Sequence, residues 1–95
     1  MRTTTIKAVQ CFLGNAKLSS GNTTVTHSSA ESALFLFGNK IAKRTADGLF
    51  ITNAGWRSNT TKERLNGLPN VRIQQAKGDW FLNGQPWNGQ WTKIG

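Results

Sequence analysis

The sequence predicts an α+β fold in which an antiparallel, hairpin-rich sheet of about five strands carries one or two short helices packed on one face. Short runs rich in Thr, Val, Ile, Phe and Trp alternate with Gly- and Asn-containing turns, a pattern typical of strands joined by hairpins. Two stretches, at 3–15 and 60–66, show helical spacing and capping residues instead. With 95 residues, the chain has the length of one small domain with a single modest core.

The N-terminal stretch 3–15 is interpreted as a helix, with a strand as the competing interpretation. Thr3 or Thr4 would cap its start, and Gly14-Asn15 would end it. The residues that helical spacing places on its buried face are Ile6, Val9, Phe12 and Leu13. Residues 16–22 are expected to form a loop.

The next part of the chain predicts strands. Residues 23–27 alternate, and 34–37 (Leu-Phe-Leu-Phe) form an apolar run expected to be covered on both faces or to form a contact. Gly38-Asn39 fits either a two-residue hairpin turn or a bulge. We favour the bulge, because residues 45–48 already supply a turn before the short strand at 49–51.

A sharp turn and a short helix follow that strand. Gly55 can take a positive φ without steric cost, so it suits the change of direction. Three residues are good N-cap candidates, namely Ser58, Asn59 and Thr60. Thr60 and Glu63 have the spacing of a capping box.

Asn66-Gly67 is expected to end the helix in the left-handed conformation, and Pro69 prevents its continuation. The residues expected to face the core are Thr61, Leu65 and Leu68.

The C-terminal third predicts further hairpins. Val71 and Ile73 should face inward, with Arg72 facing outward. Turns at 77–79 and at Asn83-Gly84 should flank a strand. A second Asn-Gly turn precedes a last strand. Pro86 indicates that this last segment lies at a sheet edge. The segment also contains Trp87 and Trp91, and at least one of the two should be partly exposed.

The charge predicts an anionic partner. Twelve Lys and Arg residues face four Asp and Glu residues, a net charge of +8. Nucleic acid and an acidic host protein surface are the partners that fit this charge. No stretch approaches the roughly 20 apolar residues of a membrane span, so we expect no membrane partner. A single cysteine, Cys11, fits a reducing compartment.

The start of the helix at 60–66 is the predicted anion-binding site, because helix N-termini present free N–H groups and a positive dipole end. Trp56 and Trp87 are the candidates for base stacking. The residues predicted to bind nucleic acid or another anion are Arg57, Ser58, Asn59, Thr60, Thr61, Lys62, Arg64, Lys40, Lys43, Arg44 and Arg72.

Catalytic chemistry is not indicated by the sequence. The chain has one His and one Cys, and its four carboxylates are scattered among turns and a helix start. Catalysis needs a positioned nucleophile, base or metal. We therefore expect no enzyme, no metal and no cofactor.

Three segments resemble a family of small phage and prophage proteins: Gly-Asn-Lys-Ile-Ala at 38–42, the block at 51–66, and Trp-Phe-Leu-Asn-Gly-Gln-Pro-Trp at 80–87. A Val-Arg-Ile-Gln-Gln strand lies between the second and third segments, as in the family. The resemblance implies a viral protein in the bacterial host cytoplasm, and it implies no particular activity. Relatives often carry His where this chain has Phe37.

Two functional hypotheses follow. The favoured one is a nucleic-acid-binding accessory protein with little sequence preference, because nothing in the sequence encodes base readout. The alternative is a phage effector that binds and inhibits a host protein or nucleoprotein, for example in a defence system, with 34–37 as its apolar contact. A monomer and a homodimer are both compatible with the sequence.

Overall fold

The computed structural model describes residues 3–55 and 58–94. The predicted α+β class is confirmed, with two helices and nine strands in these residues. The helices are α1 (Thr3–Leu13) and α2 (Asn59–Asn66). The strands are β1 (Leu18–Ser20), β2 (Thr23–His27), β3 (Ser32–Leu36), β4 (Asn39–Thr45), β5 (Gly48–Ile51), β6 (Ile73–Ala76), β7 (Asp79–Leu82), β8 (Gln85–Pro86) and β9 (Thr92–Ile94).

The strands form two antiparallel sheets rather than the one five-stranded sheet predicted. The larger has the order β1-β2-β3-β4-β5-β9, and the smaller has the order β6-β7-β8. One difference arises in the predicted loop 16–22, where Leu18 pairs with Val25 and adds β1 to the sheet. The other arises at the C-terminus, where β9 leaves its sequence neighbours and pairs with β5.

The large sheet has an inner face and an outer face. Strand register places Val25, Leu34, Ala42 and Ile51 side by side, and all four are buried. Helix α1 packs on β2 and β3, and α2 packs on β4. Since successive side chains in a strand point to opposite faces, Thr24, Phe35, Lys43 and Phe50 point to the outer face. Ile41, next to Ala42, is the extra residue of a bulge and is buried in the core.

Helix α1 is confirmed, but its buried face is rotated relative to the prediction. Thr5, Ala8 and Phe12 are buried, whereas Ile6 and Leu13 are exposed. The reason is a polar contact inside the fold: the Thr5 hydroxyl donates to the Glu63 carboxylate at 2.8 Å. A threonine whose hydroxyl is satisfied in this way can occupy a buried position.

The turn between β3 and β4 is a hairpin, so the favoured bulge at Gly38-Asn39 is wrong. Phe37 and Gly38 form its two central residues, with φ of 51° and 78°. Two positive φ values are characteristic of the type I′ turn, whose twist matches that of paired strands. A bulge does occur in this pair, further along, where the register shifts between Leu34 and Phe35.

Helix α2 begins earlier than predicted. Ser58 is its N-cap, and the Ser58 hydroxyl oxygen accepts a hydrogen bond from the Thr61 N–H at 3.1 Å. The predicted capping box at Thr60 and Glu63 is therefore wrong. With the helix starting at Asn59, Glu63 faces α1 rather than the helix start. The residues predicted to face the core are buried, as expected: Thr61, Leu65 and Leu68.

The end of α2 also differs from the prediction. Gly67 has φ of −76° and is right-handed, so the expected left-handed exit is wrong. A Cβ at this position would lie 2.8 Å from Thr5 Cγ2 and 2.9 Å from Val9 Cγ2. Glycine is therefore required here by the close approach of α1 and α2.

The small sheet follows the sequence prediction closely. Its two hairpin turns, Lys77-Gly78 and Asn83-Gly84, have positive φ at both central residues. Val71 and Ile73 are buried, and Arg72 is exposed. Trp80 lies in the core. Pro86 lies in the edge strand β8, where its missing N–H costs no ladder hydrogen bond.

Candidate nucleic-acid interface

The groups at the start of α2 are already engaged. The Ser58 hydroxyl is bonded to both the backbone and the side chain of Thr61, and Thr61 is buried. Asn59 is exposed and Thr60 is half-buried. The predicted contributions of Trp56 and Arg57 lie outside the described residues. This helix start is an ordinary capped N-terminus in the described part of the chain.

Arg64 faces the core, so its predicted surface position is wrong. Its side chain is 3 % exposed. The guanidinium donates to Thr23 Oγ1 at 3.1 Å, to Glu63 Oε1 at 2.9 Å and to the Thr5 hydroxyl. It thereby joins α2 to α1 and β2, and it is not available to a phosphate.

Two further predicted cations lie with the small sheet. Lys62 Nζ donates to Gln75 Oε1 at 2.6 Å and lies 5.9 Å from the centroid of the Trp80 ring. Arg72 is exposed beside β6. Arg64 is buried, whereas Lys62 is bonded to Gln75 and Arg72 is exposed, so these cations do not form one surface site.

Arg44 closes the C-terminal end of α1. Its guanidinium donates to the carbonyl oxygens of Phe12 at 3.2 Å and Leu13 at 3.1 Å, and to the side chain of Asn15. Carbonyls at a helix C-terminus lack partners within the helix, and a basic side chain there satisfies them. The Arg44 guanidinium therefore caps α1 within the fold.

The remaining two predicted cations, Lys40 and Lys43, lie on the outer face of the large sheet. Register places Lys40 opposite Phe35, Lys43 opposite Phe50, and Phe50 opposite Lys93. Trp91 precedes β9 on the same face, next to Lys43. We call this set the outer sheet face; it comprises Phe35, Lys40, Lys43, Phe50, Trp91 and Lys93.

Cations and aromatic rings alternate closely on the outer sheet face. Lys43 Nζ lies 4.7 Å from the centroid of the Trp91 ring and 5.4 Å from that of Phe50. Lys40 Nζ lies 5.7 Å from the Phe35 ring centroid. All three distances are within the roughly 6 Å range of cation–π attraction.

The outer sheet face is open to solvent. Trp91 is 44 % exposed, Lys93 is exposed, and Phe35 and Phe50 are half-buried. Neither helix covers it, because both pack against the inner face. Aromatic area is therefore accessible here beside positive charge.

The positive charge of this face is only partly neutralised. Lys40 forms an ion pair with Glu31 at 2.7 Å. Within residues 3–55 and 58–94, no carboxylate lies within ion-pair distance of Lys43 or Lys93. These two lysines can contact an anionic ligand without first breaking an ion pair to any described residue.

Trp87 does not present a stacking surface, contrary to the prediction. It is 8 % exposed, its Nε1 donates to Thr92 Oγ1 at 2.8 Å, and its ring centroid is 6.3 Å from that of Trp80. Of the three tryptophans that the structure describes, Trp91 is the exposed one. The alternation of Trp91 and Lys93 in a strand segment is the sequence signal that places both on one face.

An open cavity of about 490 Å³ adjoins Trp91. It lies between the segment that follows β5 and the turn that precedes β9. We call it the Trp91 cavity; its lining residues are Thr52, Asn53, Ala54, Gly55, Asn88, Gly89, Gln90 and Trp91. Gly55 has φ of +77°, which confirms the sharp change of direction predicted there.

The described part of the chain contains neither a cluster of metal ligands nor a membrane-spanning helix. No three His, Cys, Asp or Glu side chains converge there as a metal site requires. No helix in those residues is long and apolar enough to cross a membrane.

Comparison with known proteins places the chain in a phage family. The family model described as Kyanoviridae Gp96 protein matches residues 1–93, which is nearly the whole chain. No curated protein and no solved structure matches the chain. The phage origin that the sequence resemblance implied is therefore supported, and the chain belongs to the Kyanoviridae Gp96 protein family.

Proposed function

We propose that this phage protein binds nucleic acid through its outer sheet face, in the cytoplasm of the bacterial host. The observation that carries the proposal is the position of Lys43 between Phe50 and Trp91 on an open sheet face. This site replaces the predicted one at the start of α2, whose described cations Lys62 and Arg64 are engaged in contacts within the fold.

The chemistry of the face suits both parts of a nucleotide. Aromatic rings stack on bases with little regard to base identity, and lysines attract phosphates. Cross-strand neighbours in a sheet lie about 4.5–5.5 Å apart, so each ring on the outer sheet face has a cation beside it. A strand crossing this face would place bases on rings and phosphates on lysines.

The overall charge supports the same partner. The net charge of +8 favours association with a polyanion from a distance. Arg44 and Arg64 are held by the fold, yet they still contribute to this long-range field. On the outer sheet face, Lys43 and Lys93 would contact the phosphates directly. Lys40 would join them if its ion pair with Glu31 opens.

The alternative hypothesis, an effector that binds an acidic host protein surface, loses its predicted apolar contact. Leu34 and Leu36 of the 34–37 run are buried in the core. Phe37 alone in that run is exposed, at the hairpin turn. The open face thus offers aromatic rings set among cations rather than a continuous apolar patch.

A salt-dependence experiment tests the proposal. We expect Lys43→Gln with Lys93→Gln to weaken binding of a labelled single-stranded oligonucleotide by about tenfold at low salt. We also expect the log Kd against log salt slope to fall by about 1.4, since each single-strand phosphate contact contributes about 0.7. Fluorescence anisotropy over a salt series measures both quantities.

The matched control removes the same charge elsewhere. Lys7 is exposed on α1 and Lys17 is exposed in the loop after it, away from the outer sheet face. Lys7→Gln with Lys17→Gln should change affinity by less than about threefold, through long-range charge alone. Equal losses in the two double variants, or no low-salt binding by the wild type, would refute the proposal. Capture of an acidic host protein in the latter case would favour the effector.

A further inference from the structure

The Trp91 cavity is preformed by a contact between its two walls. The carbonyl of Gly89 accepts hydrogen bonds from the Asn53 N–H at 2.9 Å and from the Thr52 hydroxyl. Gly89 itself is buried, and a Cβ there would lie 2.0 Å from Asn53 Nδ2. The volume of about 490 Å³ is within the roughly 300–1,000 Å³ typical of small-molecule sites.

Asn53 supplies an amide donor at the cavity. The residue is 3 % exposed, and its Oδ1 accepts from the Gly55 N–H at 2.8 Å, which fixes the orientation of the amide. Its Nδ2 makes no hydrogen bond to any residue that the structure describes. Asn53 lines the Trp91 cavity, so a bound acceptor that reaches its Nδ2 would gain a hydrogen bond without displacing a described partner.

The rim adds further amides and an aromatic ring. Asn88 Oδ1 accepts from the Gln90 N–H at 3.0 Å, which leaves the Asn88 NH₂ group directed away from that bond. The side-chain amide of Gln90 is exposed and makes no hydrogen bond within the described residues. Trp91 forms one side of the cavity, with Lys43 4.7 Å from its ring centroid.

Among the described residues, the lining contains amides, a hydroxyl and an aromatic ring, but no charged residue. It therefore suits a neutral, planar group with hydrogen-bonding atoms at its edge. The cations stand outside, on the outer sheet face, where a phosphate would lie. This division between a neutral cavity and a cationic surround matches the division of a nucleotide into base and phosphate.

We propose that the Trp91 cavity is a subsite for one unpaired nucleobase, which makes single-stranded nucleic acid the ligand of the outer sheet face. This inference rests on the proposed function. A base within a duplex is stacked on both sides and paired along its edge, so it cannot enter the cavity. Amide side chains read base edges, so the subsite also adds a base preference at one position of the strand.

The test compares three ligands of the same length by fluorescence anisotropy at low salt: a mixed-sequence single strand, the same strand with abasic sites throughout, and the duplex. We expect the wild type to bind the intact single strand at least about tenfold more tightly than either of the others. Trp91→Leu should weaken binding of the intact strand by about tenfold and leave binding of the abasic strand unchanged.

Two further variants act as controls. Trp91→Phe keeps an aromatic ring and should retain most of the affinity for the intact strand. Gln90→Ala, at an exposed position, should flatten the differences among single strands that vary in one base. Melting temperatures of all variants should match that of the wild type.

The outcomes separate this inference from the proposed function. If the wild type binds intact and abasic strands equally well, the base subsite is refuted while phosphate binding at the outer sheet face stands. The subsite is also refuted if Trp91→Leu weakens binding of both ligands equally. If neither ligand binds at low salt, the proposed function fails and the subsite fails with it.

Discussion

At the scale of single residues, Gly89 shows how a local requirement shapes the candidate site. It has φ of +86°, and the place of a missing Cβ is filled by the side chain of Asn53. Gly55 in the opposite wall also has a positive φ, but no atom of the described residues beyond its chain neighbours lies within 4 Å of where its Cβ would be. A side chain at Gly55 would meet only the strain of a positive φ, whereas one at Gly89 would also overlap with Asn53.

This difference gives a stability prediction. Gly55→Ala should lower the free energy of unfolding by about 1 kcal/mol, the cost of a left-handed alanine. Gly89→Ala should lower it by about 3 kcal/mol or more, because the wall contact must also open. Urea denaturation of both variants measures the two values. Equal costs would show that Asn53 can move aside freely.

Arg64 illustrates what a sequence does not reveal at this scale. Its spacing on α2 with Thr61 and Leu65 places it towards the core, yet an arginine is seldom fully buried. Its burial depends on Thr5 and Thr23, which lie 59 and 41 residues away in the chain. Gly55, in contrast, was predictable because the turn that requires its positive φ is local.

At the scale of secondary-structure elements, the hairpin turns are where local sequence is most informative. Lys77-Gly78 and Asn83-Gly84 form the same type of turn, with φ of 51° at both first residues. Asn is favoured at this position, whereas a lysine there is strained. Lys77 thus adopts a left-handed backbone conformation that lysine does not favour.

Replacing this residue should stabilise the protein. We expect Lys77→Asn to raise the free energy of unfolding by about 0.5–1 kcal/mol, because Asn tolerates the left-handed conformation. The reverse change in the neighbouring turn, Asn83→Lys, should lower it, since Asn83 Oδ1 also accepts from the Arg72 N–H at 2.9 Å. Thermal melts of both variants measure the effect. A lower melting temperature for Lys77→Asn would contradict this explanation of the turn.

Elements whose partners are distant were harder to predict. The hairpins formed by β4 with β5 and by β6 with β7 follow from turns that the sequence shows directly. Strand β9 pairs with β5, and no local turn encodes that pairing. The sixth strand of the large sheet depends on this pairing, and so does the position of Trp91 beside Lys43.

At the scale of the whole molecule, the fold sorts the cations into two groups. Arg44 and Arg64 stabilise helix ends and helix contacts, and Lys62 contacts the small sheet. Lys43 and Lys93 remain on the outer sheet face without an acidic partner in the described part of the chain. The net charge predicted an anionic partner, but only the strand register locates the surface that would meet it.

That nucleic acid binds the outer sheet face is a claim that NMR mapping can test residue by residue. Amide and indole N–H shifts of the ¹⁵N-labelled protein would be followed while a short single-stranded oligonucleotide is added at low salt. We predict that the largest changes occur on β4, β5 and β9 and at the Trp91 indole, with α1 and the small sheet unaffected. Changes centred on the start of α2, or no changes at all, would contradict the claim.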